Sequence, residues 1–312
     1  MRRQLAAEII DVGSWSPDPD YEFAPQGVKP KRILKAPTPP PADFIKPDHR
    51  YLFKYASNPE ELRQAFSEII AYELSKKLDV EVPPTFLAVD SLRGHIGCLI
   101  EFFYGYEDER FDTRFVHAVD LFQHAGVNIN EAVGSLRQNV ALSRAYKAPA
   151  AKEWWRKTIV FDALIGNTDR HAENWGFLVA RPHPGEAQYW LSPVYDNGTS
   201  LGWRIPEDNL AKWSTTARLE KYVSKGRHHY GWLTGDKDTA VHHVLCAHFF
   251  RVYGDPSGTM QSMIQLTDSD IQDVLQWAVD FESPVKFTPE RAAFVEKLVA
   301  AKRTALQAAL DN

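Results

Sequence analysis

Asp169 and Asn174 stand five residues apart in the run Gly166-Asn-Thr-Asp-Arg-His-Ala-Glu-Asn-Trp-Gly176, and a third oxygen donor, Asp196, closes the next hairpin that the sequence predicts. Carboxylate, amide and carboxylate in that order suit phosphoryl transfer from ATP. One carboxylate receives the acceptor hydroxyl, while the amide oxygen and the second carboxylate hold magnesium on the phosphates. His171, two residues beyond Asp169, is placed to hydrogen-bond within the loop and steady the aspartate, with a plain structural histidine as the alternative. Asp and Asn in loops are more often turn formers or helix caps, so the reading depends on what accompanies them.

Upstream lie the parts a nucleotide would need. Lys54, inside the strand-like Tyr51-Leu-Phe-Lys-Tyr55, is a compact cation able to reach the α- and β-phosphates. A helix expected over about 59–78 follows, with Asn58 as N-cap, Pro59 at its first position and Glu61 completing a capping box. It carries two acids able to pair with Lys54, Glu68 and Glu73, and helical periodicity slightly favours Glu73, which falls within the apolar stripe. Gly27, in Ala24-Pro-Gln-Gly-Val-Lys-Pro-Lys31, permits a turn whose backbone N–H groups face phosphate, with Lys29 or Lys31 beside it. Backbone groups near Glu101 and Phe103, in Ile100-Glu-Phe-Phe-Tyr104, are candidates for the adenine edge.

The elements that position these residues follow from pattern. Strands are expected at 32–35, 51–55, 80–89 and 96–104, with the proline-rich 36–48 as a loop because proline donates no ladder hydrogen bond. Helices are expected near 113–125, 128–146 and 151–165, then a hairpin of 175–180 and 188–195, and further helices announced by Thr267-Asp-Ser-Asp270 and Thr288-Pro-Glu290. The fold class is α+β: a small strand-rich lobe with one helix, residues 1–104, and a larger mainly helical lobe, residues 105–312. The Asp-x-x-x-x-Asn spacing is that of a kinase catalytic loop, and a strand lysine and helix glutamate precede it in the order a two-lobed kinase requires.

Composition narrows the partners. At 312 residues and 44% apolar, the chain has ample material for a core, and a net charge of -5 argues against a protein built around nonspecific nucleic-acid binding. Cys98 and Cys246 sit in apolar surroundings without Cys-x-x-Cys spacing and read as buried free thiols. His242, His243 and His248 have near-helical spacing but no acidic partner, so zinc is not expected. Lys212, Arg218, Lys221, Lys225 and Arg227 would suit an acidic or phosphorylated partner, or form a solvated helical face. With no secretory stretch or membrane span, a cytoplasmic location is expected.

Gln26-Gly-Val-Lys-Pro-Lys31, Ser67-Glu-Ile-Ile-Ala-Tyr-Glu-Leu74 with Val82-Pro-Pro84, Ile100-Glu-Phe-Phe103, Asn167-Thr-Asp-Arg-His-Ala-Glu-Asn174 and Pro193-Val-Tyr-Asp196 together resemble the HipA-like serine/threonine kinases. The resemblance runs in order from about residue 22 to 200. It implies Asp169 as catalytic base, Asn174 and Asp196 as magnesium ligands, Lys54 as the ATP lysine with Glu68 as its partner, and Glu101 with Phe103 as adenine contacts. It implies a protein substrate and, since several members are toxins restrained by a helix-turn-helix antitoxin, such an antitoxin as a partner. There is no room before residue 21 for the extra N-terminal subdomain of longer members, which suggests a short form. Glu22-Phe-Ala-Pro25 replaces the serines that many members autophosphorylate, so inhibition by that route is not expected.

Two competing readings share part of the pattern. Asp169-Arg-His with Asn174, then Asp196-Asn-Gly, also resembles phosphoinositide kinases, but no apolar or strongly basic membrane-facing element accompanies it. A pseudokinase module that binds nucleotide without turnover is the other, disfavoured by the joint presence of Lys54, Asp169, Asn174 and Asp196.

Overall fold

The computed structural model describes residues 2–19, 30–109, 111–127, 134–181 and 185–311. Six strands form the first sheet: β1 (Ile10–Asp11), β2 (Ser16–Pro17), β3 (Lys31–Lys35), β4 (Arg50–Tyr55), β5 (Thr85–Asp90) and β6 (His95–Glu101), in the order β1-β5-β6-β4-β3-β2. All neighbours are antiparallel except the β1–β5 pair. Between β4 and β5 lies helix α1 (Pro59–Lys77). Its start follows the N-cap chemistry, with Asn58 Oδ1 accepting from Glu61 N–H at 2.9 Å, but the expected capping box does not close, because the Glu61 carboxylate reaches past Asn58 to the Ser57 N–H at 2.6 Å.

The sheet has two differently covered faces. Leu52, Leu87, Cys98 and Ile100 face α1 and join the main core. On the other face, Leu34, Tyr51, Phe53, Phe86 and Leu99 are covered by Val12 and Trp15 from the N-terminal segment and by Phe44 and Ile45 from the proline-rich loop. That loop therefore does more than connect two strands: each fully buried aromatic or aliphatic side chain contributes ~1.5–3 kcal/mol by leaving water.

Beyond this sheet come β7 (Thr113–His117), α2 (Ala118–His124), α3 (Leu136–Ala145), α4 (Ala151–Ile165), β8 (Gly176–Ala180), β9 (Gln188–Leu191), α5 (Leu210–Trp213), α6 (Thr216–Lys225), α7 (His242–Tyr253), α8 (Thr259–Met263), α9 (Asp268–Val279) and α10 (Pro289–Asp311). The architecture is α+β, strand-rich before residue 102 and mainly helical after it. The expected helix over 113–125 is corrected: Thr113–His117 pairs antiparallel with β8, and only 118–124 is helical. An available strand edge draws Thr-Arg-Phe-Val-His, with its β-branched and aromatic residues, into a ladder. Residues 80–84 and 102–104 likewise fall outside the ladders expected to contain them, and β9 ends at Leu191.

Helix α4 is the buried axis of the helical part, with Trp155, Ile159, Val160, Phe161, Ala163, Leu164 and Ile165 all in the core. Its C-cap, Gly166, adopts the left-handed conformation (φ 71°) that ends a helix at little cost only for glycine. The N-terminal residues tie the two parts together: Arg3 bridges Glu73 of α1 and Asp273 of α9, and the Gln4 carbonyl accepts from Trp277 Nε1 at 2.7 Å. Among the described residues no helix is long and apolar enough to cross a membrane.

Candidate active site

Strand β4 presents Lys54 on the face toward α1. Its Nζ lies 2.8 Å from Glu68 Oε1 and 2.8 Å from Asp196 Oδ1. Burial alone would depress the ammonium's pKa, but the Asp196 and Glu68 carboxylates outweigh it and hold the value above its ordinary level. The neighbouring strand approaches closely here, since a Cβ on Gly97 would sit 2.0 Å from the Lys54 carbonyl oxygen. Lys31 lies directly across from Lys54 in the β3–β4 ladder. Gly27 lies outside the described residues.

The partner of Lys54 is thus Glu68, not the Glu73 that periodicity slightly favoured. Glu73 pairs instead with Arg3 and Lys76. The physical reason is that α1 is buried continuously from Gln64 to Ser75, between the sheet and α9, so it has no single apolar stripe to read.

The loop after α4 is set by a buried ion pair. Arg170, with 1% exposure, donates to both carboxylate oxygens of Asp162 (2.8 and 3.2 Å), to Asn197 Oδ1 (2.6 Å), and to the carbonyls of Asn174 (3.0 Å) and Tyr195. One guanidinium nitrogen serves both carbonyls, so the backbone at Asn174 and at Tyr195 is held within about two hydrogen-bond lengths. A second tie is the Tyr195 hydroxyl, which donates to the Glu173 carbonyl at 2.6 Å. Asp196 itself takes a left-handed conformation (φ 58°), tolerated by Asp better than by most residues. Asn197 N–H, in turn, donates to Glu68 Oε2 at 2.8 Å, so one glutamate fixes both Lys54 and the segment carrying Asp196.

Within the loop, Asn167 Oδ1 accepts from Asp169 N–H at 3.1 Å and Thr199 Oγ1 at 2.9 Å. Asn174 Nδ2 donates to the Asp169 carbonyl at 2.6 Å and lies 3.1 Å from His171 Nε2. The Asp169 carbonyl, which can only accept, assigns that atom as nitrogen and leaves the amide oxygen for another ligand. Among the described residues no three of His, Cys, Asp and Glu form a metal-binding group. Asn174 and Asp196 nonetheless supply the hard oxygen donors that suit magnesium, which keeps waters and phosphate oxygens as its remaining ligands. The Asp169 carboxylate is 41% exposed, with His171 Nε2 and His229 Nδ1 each 3.8 Å from its Oδ1. Desolvation, then proximity to His171, holds the His229 pKa below its ordinary value.

At the end of β6, Glu101 N–H donates to the Pro84 carbonyl at 2.8 Å. The reciprocal donor of that narrow antiparallel pair would be residue 84, and proline has none, so the Glu101 carbonyl keeps its lone pairs. The Glu101 side chain points to the opposite face, held by Tyr51, Tyr106 and Lys46. Among the described residues the Phe103 backbone N–H has no partner, and the Phe103 ring packs on Tyr195 at 5.6 Å.

Asp162, Arg170, Asn197 and His229 were not singled out from sequence. The signal for the first was present: an Asp inside Val160-Phe-Asp-Ala-Leu164 occupies a buried helical face and demands a cationic partner. The histidines of α7 serve structure, with His242 Nε2 2.9 Å from the Asn167 carbonyl and His248 stacked on Trp232 at 4.6 Å.

The chain is similar to the serine/threonine-protein kinase CtkA of Helicobacter pylori strain J99, at 24% identity over 158 residues that span 48% of this chain and 46% of that relative. It thus matches under half of that protein's length. Among solved structures it superposes on the Helicobacter pylori proinflammatory kinase CtkA with a TM-score of 0.70 at 16% identity, covering 97% of this chain and 98% of that one. It also superposes on HipA of the Shewanella oneidensis MR-1 toxin-antitoxin system, in complex with HipB and operator DNA, with a TM-score of 0.51 at 16% identity over 95% of this chain and 67% of that one. At such identities these are likenesses of fold. Residues 23–250 match the family described as the HipA-like C-terminal domain, a stretch holding Lys54, Glu68, Asp169, Asn174 and Asp196 alike, and the chain belongs to that family.

Proposed function

We propose that the protein is an ATP- and magnesium-dependent kinase that transfers the γ-phosphate to a Ser or Thr hydroxyl of a protein. The observation that carries this reading is the Lys54 bridge, 2.8 Å from Glu68 and 2.8 Å from Asp196, on a segment that Arg170 ties to Asn174. Kinase catalysis requires the strand lysine and helix glutamate to be paired before phosphate arrives. Family membership and the likeness to a protein named as a serine/threonine kinase support it further.

In this mechanism the Glu101 carbonyl and the Phe103 N–H bind the adenine edge. Lys54 shifts from Asp196 toward the α- and β-phosphates while Glu68 keeps it in place. Asn174 Oδ1 and the Asp196 carboxylate would hold magnesium, which would supply charge to offset that of the phosphate oxygens. Asp169 accepts the proton of the Ser or Thr hydroxyl as that oxygen bonds to the γ-phosphorus and the bond to the β-bridging oxygen breaks, releasing ADP. His171 positions Asp169 and Asn174. A DNA-binding antitoxin belongs to the same reading, supported by the HipA relative seen with HipB and operator DNA.

Calorimetric titration tests the metal-binding part. Asn174→Ala and Asp196→Asn should each weaken binding of ATP with magnesium while changing adenosine binding little. Equal loss for both ligands, or none for either, contradicts the assignment.

A further inference from the structure

Beside Asp169 opens a cavity of about 840 Å³, lined by His171 and Glu173 of the loop and by Arg204, Lys225, Arg227 and His229. The two histidines are the ones that flank the Asp169 carboxylate, so cavity and carboxylate adjoin. Its charge is lopsided. Arg204, Lys225 and Arg227 are exposed, and among the described residues none is within ion-pair distance of a carboxylate, whereas the buried Arg156, Arg170 and Arg291 all are. Arg170 also lines the cavity, but Asp162 neutralises it. Among the described residues Glu173 is the sole carboxylate of the lining, in a chain whose net charge is -5. Three uncompensated cations gathered from the turn after Asp196, the end of α6 and the segment beyond it make a local field of sign opposite to the molecule's own.

We infer that this cavity is the acceptor subsite, and that it selects protein segments carrying an anionic side chain, carboxylate or phosphate, beside the Ser or Thr that Asp169 receives. The inference rests on the kinase reading and adds the substrate class to it. Arg204 offers a planar fork that matches carboxylate and phosphate oxygens, while Arg227, one of whose nitrogens donates to the Thr239 carbonyl, and Lys225 add charge. Attraction of this kind also speeds encounter and weakens with salt, because exposed charges are screened.

The test is transfer from ATP with magnesium to Ser/Thr peptides of one length, flanked by Glu, phosphoserine, Ala or Lys. The expected result is a preference of roughly tenfold in kcat/KM for an anionic over an Ala flank, smaller at high salt. In Arg204→Gln/Lys225→Gln that ratio should fall toward one, and in Arg204→Glu/Lys225→Glu it should turn toward the Lys-flanked peptide. The Glu and phosphoserine arms say which anion is the better fit, and a preference for either supports the inference. Transfer without any flank preference, or a preference untouched in both variants, overturns the inference while leaving the kinase reading intact. Absence of transfer to every peptide although ATP binds overturns both. Inhibition by a single-stranded oligonucleotide far stronger than by the free acidic peptide would reassign the cavity to nucleic acid and overturn it too.

Discussion

Lys302 offers a stability prediction that does not depend on activity. It lies in α10 with only 2% exposure, its Nζ against Gly166, where a Cβ would approach it to 2.6 Å. No carboxylate partners it among the described residues. Its surroundings are the Tyr222 ring at 5.7 Å and His228, His242 and His243, whose own pKa values are lowered chiefly by burial. Burial pushes the Lys302 pKa down from 10.5 to about 8. At ~1.4 kcal/mol per pH unit, that difference costs the folded state on the order of 3 kcal/mol wherever both states are protonated. The sign follows from proton counting. Between pH 8 and 10.5 the unfolded chain binds the proton and the folded one does not, so the parent gains stability as pH rises through that window. Lys302→Met keeps the length of the side chain and removes the charge. At pH 7 it should be more stable than the parent by about 3 kcal/mol, a gap that narrows by that amount as pH rises to 10.5. Urea denaturation of both proteins at matched pH measures it, and above pH 8 the histidines that the Lys302 charge perturbs are neutral in both states and drop out of the difference. A variant less stable than the parent at pH 7, or a gap constant with pH, refutes the reasoning and points to an anion compensating Lys302.

Further outcomes follow from the site's geometry. Glu68→Gln removes the carboxylate that fixes both Lys54 and Asn197, and should lower kcat/KM for ATP by ~10–100-fold, whereas Glu73→Gln, which touches Arg3 and Lys76, should change kinetics far less. Arg170→Lys cannot reproduce four simultaneous partners and leaves Asp162 underpaired in the core, so it should lose ~3–5 kcal/mol in denaturant titration together with phosphate transfer. Pro84→Ala supplies the N–H that Glu101's carbonyl lacks, and should raise KM for ATP severalfold as the ladder competes with adenine; an unchanged KM would remove Glu101 from the adenine contacts.

How far these features could be read beforehand differs by element. Helix α4 was expected over 151–165 and spans Ala151–Ile165, because a dense apolar run closed by glycine leaves little latitude. The start of α1 was equally legible, its cap being local chemistry. Strands β1 and β2, two residues each, carry no periodicity and exist only through their pairing with β5 and β3. The same dependence on a distant partner hid β7, drawn into the hairpin by β8. In the candidate site, the loop from Asn167 to Asn174 and Asp196 stand out in the sequence because their residue types are chemically unusual together. The Arg170–Asp162 pair that holds that loop does not, since its members are common residues made significant only by burial.

If Asp169 receives the acceptor hydroxyl while the rest of the site holds ATP, its carboxylate matters to transfer and not to nucleotide binding. Transfer of labelled γ-phosphate from ATP to Ser/Thr acceptors by the parent and by Asp169→Asn, with ATP affinity measured on both, decides the point. The expected result is nearly equal ATP binding and a transfer rate lower by ~10²–10⁴ in the variant. Equal transfer by the two proteins, or a parent that binds ATP and phosphorylates no hydroxyl, would contradict it.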